Sequence, residues 1–418
     1  MYLELKLQFS PNFGFLKFIQ MKKIAVLMLA ALGAQAQDKG SFVDYSNPFY
    51  GTIMQESDSY DKGEKESHQA FKMDVSGLDI PQSLEEFTIV EAEDPISQGN
   101  TGTCWCFSTI SFYESEIYRT QGKSIDLSEL YTVYFEYIEK AREYVQTRGA
   151  SHLGEGSETN AVQRMMEQYG IVPQEAYLGK PADQPFYNHE GMFGEMEAFL
   201  HNCKDTHFWD EDAILSNIQS ILNHYMGEPP TSFKYKGRTY TPQSFLKNVA
   251  KLVPGDYVDF MSLMQKPYWE QAEYKVPDNW WRSADYYNVS LEAFMNGIKN
   301  AIKNGYSISI GGDVSESGYH PFKDIAVVPS YDIPSEYIDE NARQLRFSNG
   351  STTDDHAIHL IGYKETDKGW WFLIKDSGSG ARNGTFPGYY FYHEDYVKLK
   401  MMTYTLHKDA VADILEKF

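Results

Sequence analysis

Three cysteines in 418 residues are too few for a disulfide framework, so the fold must rest on packing rather than on cross-links. Basic residues are also scarce: 37 Lys and Arg stand against 59 Asp and Glu, a formal net charge of −22. That balance argues against a general nucleic-acid binder, which needs a basic face. It reads most simply as solubility. No apolar run is long enough to span a bilayer. No Cys/His cluster has zinc spacing. His356 and His359 are three apart in a strand-like run, which puts them on opposite faces. No internal repeat or low-complexity tract is present, and no metal or other cofactor is expected.

What the chain does have is length and aromatics. Its 418 residues suffice for one large or two moderate domains, and 31 Tyr and 25 Phe can fill cores and lobe interfaces. Residues 21–36 carry the pattern of a secretory signal. Lys22 and Lys23 precede the apolar run Ile24 to Gly33, and Ala34-Gln35-Ala36 follows as a small-residue cleavage site. Residues 1–20 then read as an over-called upstream extension before the start at Met21. The mature chain begins at Gln37, exported across the inner membrane to the periplasm or beyond. No cysteine follows the cleavage site, which argues against a lipid anchor.

Residues 37–95 form a polar, acidic segment expected to wrap the surface. Residues 96–180 read as a helical lobe. Cys106, Ile110, Tyr113 and Ile117 form a buried stripe on a helix opened by Cys104, and Asp126 with Glu129 resembles a capping box for Leu127 to Gln146. Gly154-Glu155-Gly156-Ser157 is a tight loop before a helix from Glu158 to Tyr169. Residues 181–290 read as an inserted, mainly helical region with a small hairpin at Tyr235-Lys236-Gly237-Arg238. Ser290 caps a helix from Leu291 to Lys303. Within 291–418 the period changes to two, with strands at Tyr306–Ile310, His356–Tyr363, Trp370–Lys375, Gly388–His393 and Met402–Leu406. Helices first and antiparallel strands later define an α+β chain of two lobes.

The chemistry lies in Gln98-Gly99-Asn100-Thr101-Gly102-Thr103-Cys104-Trp105. A thiol at a helix N-terminus is favoured as thiolate, and a glutamine amide six residues upstream can donate to an oxyanion. The base is expected to be His356, where Asp355-His356-Ala357 enters an apolar strand. Asp376 closes the next strand, where a hairpin brings it to the imidazole. Each has a plainer reading: Cys104 as a buried thiol, His356 as a core histidine, Asp376 and Gly156 as turn residues, Asp354 and Asp355 as a solvated turn. With Cys104 as nucleophile, only Cys106 and Cys203 are left to pair, and the Cys106 stripe makes it a core residue.

Gln98, Thr101 to Trp105, Asp355-His356-Ala357 and Gly362-Tyr363 resemble papain-type cysteine peptidases. Tyr169-Gly170-Ile171-Val172-Pro173, Thr241-Pro242-Gln243-Ser244-Phe245 and Ser309 to Val314 resemble the bleomycin hydrolase and aminopeptidase C branch. The resemblance implies a helical left lobe, an antiparallel β-barrel right lobe and peptide substrates. It implies Cys104 as nucleophile, His356 as base and acid, Gln98 in the oxyanion hole and Asp376 at the place of the family's asparagine. Gly156 and Trp105 would contact substrate. The branch includes hexamers, so a homo-oligomer is in keeping with it. The 252 positions from Cys104 to His356 exceed the roughly 130–150 of compact members, and the excess is residues 181–290.

Three departures stand out. Thr101 occupies the place of a disulfide cysteine of secreted members. Asp376-Ser377-Gly378 replaces Asn-Ser-Trp, so the His pair is expected to be wetter. The sequence stops at Ile414-Leu415-Glu416-Lys417-Phe418, short of the C-terminal arm whose carboxylate grips the substrate amine in the family. Aminopeptidase action, endopeptidase action through an open cleft, a thiol acyltransferase or amidase, and a non-catalytic scaffold on a peptidase fold all follow from these features.

Overall fold

The computed structural model describes residues 38–57 and 68–418, so the signal pattern and the upstream extension lie outside the described residues. The chain divides into units Met1–Lys39 and Gly40–Phe418. Of the first only Asp38 and Lys39 are described, and every described helix and strand belongs to the second.

The polar N-terminal segment carries its own structure. Strand β1 (Gly40–Tyr45) pairs antiparallel with β2 (His68–Met73), and helix α1 (Pro48–Ser57) lies between them in sequence. A short strand β3 (Thr88–Ile89) comes next and pairs with Gly362 and Tyr363. Helix α2 (Cys104–Gln121) opens the helical lobe. Trp105 to Ile117 are buried without interruption, so the stripe expected from sequence is one side of a helix enclosed all round, as a central helix must be.

Helix α3 (Glu129–Gln146) begins two residues later than the capping-box reading. Leu127 is fixed before it, bridged to Pro173 and donating its N–H to Glu114 Oε1 at 2.8 Å. Ser128 therefore caps the helix, its hydroxyl accepting from the Tyr131 N–H at 3.2 Å, and Glu129 turns into the interior. Helices α4 (Thr159–Tyr169), α5 (Glu190–Asp205) and α6 (Glu211–Met226) complete the lobe.

Residues 181–290 divide. After the hairpin β4 (Phe233–Tyr235) and β5 (Arg238–Tyr240), helix α7 (Pro242–Phe245) starts with Pro242 at its first turn and a reciprocal Thr241/Ser244 cap. Strands β6 (Tyr257–Met261), β7 (Glu270–Ala272) and β8 (Tyr286–Asn288) then leave the helices and join the main sheet. Helix α8 (Leu291–Lys303) is capped by Ser290 as its sequence predicts.

Strands β9 (Ile308–Gly312), β10 (Tyr319–His320) and β11 (Ile325–Ala326) precede helix α9 (Glu340–Asn349). After it come β12 (His356–Thr366), β13 (Gly369–Lys375), β14 (Tyr389–His393), helix α10 (Glu394–Lys400) and β15 (Met401–His407). The eleven-stranded sheet runs β10-β11-β14-β13-β12-β9-β15-β6-β8-β7, with β3 beside β12. The path is open rather than closed, and the β11–β14 and β6–β8 pairs are parallel; the architecture is α+β. One core joins α2 to α6, and a second lies between α8 and the sheet. All three cysteines are free, and Cys106 donates to the Glu129 carbonyl at 3.3 Å. Among the described residues no helix is long and apolar enough to cross a membrane.

Candidate active site

The first turn of α2 has no side-chain cap: Thr103 makes no such bond. The Cys106 N–H goes to the Thr103 carbonyl at 2.9 Å, and the positive end of the helix is left to the group at the first position, Cys104. The sequence leads into this turn through Gly99, which holds φ +68° against the Tyr187 backbone, a conformation that suits glycine.

His356 is the first residue of β12, paired with Gly312 of β9. The β12–β13 hairpin, paired from Thr366↔Gly369 to His359↔Lys375 with a register shift between Leu360 and Gly362, brings the residue after Lys375 alongside. The His356 Nε2 lies 2.8 Å from Asp376 Oδ1. The other ring nitrogen is left for Cys104, which is hydrogen-bonded to the imidazole. Burial alone would weaken the proton affinity of His356; the Asp376 carboxylate, and then Cys104, reverse this and hold the imidazolium well above the ordinary histidine range. Burial would likewise raise the Asp376 carboxyl, but His356, the Gly378 N–H and Arg382 pull it below the usual aspartate value.

The third member is not wet. The Asp376 side chain is 1 % exposed and that of His356 11 %. Asp376 Oδ1 also accepts the Gly378 N–H at 2.7 Å, and Tyr319, stacked on Tyr390, places its hydroxyl 3.5 Å from Oδ2. Tyrosines and the glycine backbone cover the pair where a tryptophan is missing.

Ser377 ties this corner to the glutamine. Its hydroxyl donates to Gln98 Oε1 at 2.8 Å, and the Gln98 N–H donates to the Ser377 carbonyl at 3.0 Å. One hydrogen of Gln98 Nε2 goes to the Thr101 carbonyl at 2.7 Å; an amide nitrogen carries two, so one remains. Trp105 is 1 % exposed and donates to the Glu155 carbonyl at 3.2 Å. Its indole thus fixes the loop before Gly156 while lining the smaller cavity. Glu155 reaches back to accept the Gly102 N–H at 2.8 Å. Gly156 lies against the Asp278 carboxyl, which would have to move to admit a Cβ there.

Cys104, His356, Asp376 and Gln98 are thus brought together, with Gly156 and Trp105 beside them. Two cavities meet at this point. One of about 280 Å³ is lined by Cys104, Gly156, Glu158, Asp278, Asp354 and His356. The other, about 1010 Å³, is lined by Tyr50, Gln98, Glu155, Glu197, His356 and Gly378. Sequence reasoning missed Ser377 as a clamp, Glu155 as a support, and Asp278 and Tyr50 as cleft residues. Ser377 and Glu155 adjoin residues already singled out; Asp278 and Tyr50 carry no local signal.

The sequence model of the peptidase C1-like family matches residues 196–418, more than half of the chain, and that of the papain family cysteine proteases matches residues 85–240. The chain belongs to the peptidase C1-like family. This peptidase is 23% identical to aminopeptidase C of Lactobacillus delbrueckii subsp. lactis over 370 residues, 77% of this chain and 81% of that one. Its fold matches PepW of Lactobacillus rhamnosis HN001 with a TM-score of 0.65 at 16% identity, covering 98% and 95% of the two chains. It is a papain-like cysteine peptidase of the bleomycin hydrolase and aminopeptidase C branch.

Proposed function

We propose that this peptidase removes residues from the amino terminus of peptides through a thioester acyl-enzyme. The observation that carries the reading is the Cys104–His356–Asp376 arrangement at the uncapped start of α2, between cavities of unequal size. The Cys104 thiolate attacks the scissile carbonyl, forming the S–C bond. The second Gln98 N–H and the Cys104 N–H receive the oxyanion. The imidazolium gives its proton to the amine as the C–N bond breaks. Water, losing a proton to His356, then releases the acid.

The leaving amine departs on the side of His356 and Gly378, where the cavity is about 1010 Å³. The acyl part lies along Gly156, where about 280 Å³ is available. A short acyl side and a long leaving side suit exopeptidase action from the amino terminus. The residue 21–36 pattern supports export, and the family resemblance supports a homo-oligomer.

The test is one decapeptide, free and N-terminally acetylated, incubated under reducing conditions with the enzyme and with Cys104→Ala. Stepwise loss from the free form alone is expected. Internal cuts in both forms would give the endopeptidase reading, and product that survives Cys104→Ala would overturn the nucleophile.

A further inference from the structure

The peptide group between Thr101 and Gly102 is held at both ends. Its carbonyl accepts one hydrogen of Gln98 Nε2 at 2.7 Å, and its N–H donates to Glu155 Oε2 at 2.8 Å. The group that fixes one side of the glutamine amide is therefore itself set by a carboxylate from another loop. The approach is close: a Cβ on Gly102 would lie 2.8 Å from the Glu155 Cβ. The other side of the amide is held separately, where Gln98 Oε1 accepts the Ser377 hydroxyl at 2.8 Å. Two fixed points define the plane of the amide and with it the direction of the second Nε2 hydrogen.

Glu155 is supported from behind. Its Oε2 accepts from the Tyr137 hydroxyl at 3.4 Å and lies 3.6 Å from His189 Nδ1. Tyr137 and His189 are both buried, with the hydroxyl 3.1 Å from Nδ1. Burial would raise the Glu155 carboxyl, but His189, then the Gly102 N–H and Tyr137, hold it below the ordinary glutamate range. It therefore accepts as an anion, and a charged acceptor makes the shorter and stronger bond. It also polarises the peptide group, so that the Thr101 carbonyl becomes a better acceptor for Gln98. The loop that carries Glu155 does not depend on this side chain. The Lys140 ammonium holds the Gly154 and Gly156 carbonyls, and the Trp105 indole holds the Glu155 carbonyl. What the carboxylate adds is the contact to Gly102.

We propose that Glu155 is a positioning residue of the oxyanion hole, a role that rests on the peptidase reading and deepens it: it acts through the Thr101–Gly102 peptide to aim the second hydrogen of Gln98 Nε2. Glu155 touches no reacting atom. Gly102 and Glu155 both line the larger cavity, so without the carboxylate the Gly102 N–H turns to water there. The peptide group then tilts, and Gln98 loses one of its two fixed points. The effect is confined to the step in which the oxyanion forms, so it falls on kcat rather than on substrate binding. It also has no route to the reaction except Gln98. A general support of the loop would act on both and would not need the glutamine.

The experiment is a double-mutant cycle. Gln98→Ala, Glu155→Ala and the double variant are compared with the parent in kcat and KM on one peptide with a free amino terminus, each checked by its melting curve. Loss of an oxyanion donor lowers kcat by about 10²–10³, and Gln98→Ala is expected in that range. Glu155→Ala is expected to lower kcat about tenfold or more, with KM within about twofold of the parent. In the Gln98→Ala background the same change should alter kcat by less than about twofold, as for residues that act as one unit. Glu155→Gln keeps an oxygen for the Gly102 N–H and should recover most of the loss. Glu155→Leu keeps the bulk of the side chain without the acceptor, and runs the same cycle where Glu155→Ala does not fold. Losses that multiply in the double variant, a loss borne by KM, or an unchanged kcat in a folded Glu155→Ala or Glu155→Leu would overturn the assignment of Glu155 and leave the peptidase intact. Absence of Cys104-dependent cleavage by the parent would overturn the peptidase reading itself.

Discussion

Replacing Asp376 by asparagine keeps the size of the side chain and an oxygen for the imidazole, and removes one charge. In the native protein that charge lies 2.8 Å from His356 Nε2, with side-chain exposures of 1 % and 11 %, so little solvent screens it. An opposite charge at this range shifts a partner's proton affinity by about 1–3 pH units, or about 1.4–4 kcal/mol. The sign is set by which form is charged. The anion favours the protonated ring, so its removal makes the imidazolium lose its proton at lower pH. The alkaline limb of kcat/KM should move down by about 1–3 pH units in Asp376→Asn. Stability obeys the same linkage. The raised His356 affinity contributes fully below about pH 6.5 and is lost as pH rises through the folded value. The lowered Asp376 affinity contributes above about pH 3.8 and is lost as pH falls through its folded value. If the alkaline limb of the variant stays within a few tenths of a pH unit of the parent, the carboxylate does not hold the ion pair and the reasoning fails.

Glu136 is fully buried and accepts from Ser157 at 2.7 Å, Trp280 at 2.7 Å and Arg164 at 2.6 Å. Glu136→Ala should cost about 3–5 kcal/mol in denaturant unfolding, because it strands these donors and leaves the half-buried Arg164 without its carboxylate. Ser128→Ala should cost about 1 kcal/mol by the same measurement, as expected for a lost helix cap. Asp259, buried and bonded to Thr405, holds its proton up to about pH 7. The native state then binds more protons than the unfolded one, so stability declines as pH rises from about 4 to about 7. In Asp259→Asn that decline, about 4 kcal/mol at most, should vanish from melting curves at matched ionic strength.

The parts of this protein that are legible in its sequence are those fixed by neighbours along the chain. Ser290 before Leu291, Thr241-Pro242, and the change to a period of two after Gly305 announce their elements locally. The approach of Asp376 to His356 is legible because a single hairpin connects them. Glu129 defeats the capping-box reading because Leu127 is bridged to Pro173, a constraint from 46 positions away that local capping rules do not contain. Strands β6 to β8 are hidden in a region whose sequence reads as helical, because they are three to five residues long and find their partners across the fold. Asp278 is the extreme case: it is a loop residue whose meaning comes only from the glycine it lies against.

The segment after β1 forms a wall of the larger cavity, and side chains hold it there. Asn47 bonds to Ser379 and Asn383, and Tyr50 to Asn100. No strand ladder joins α1 to the main sheet. Apolar packing adds to these bonds: Ile53 is fully buried and Phe49 packs edge-on to Phe186. The lining of the larger cavity can therefore be altered at Asn47 or Tyr50 without touching the strand pairing that positions His356.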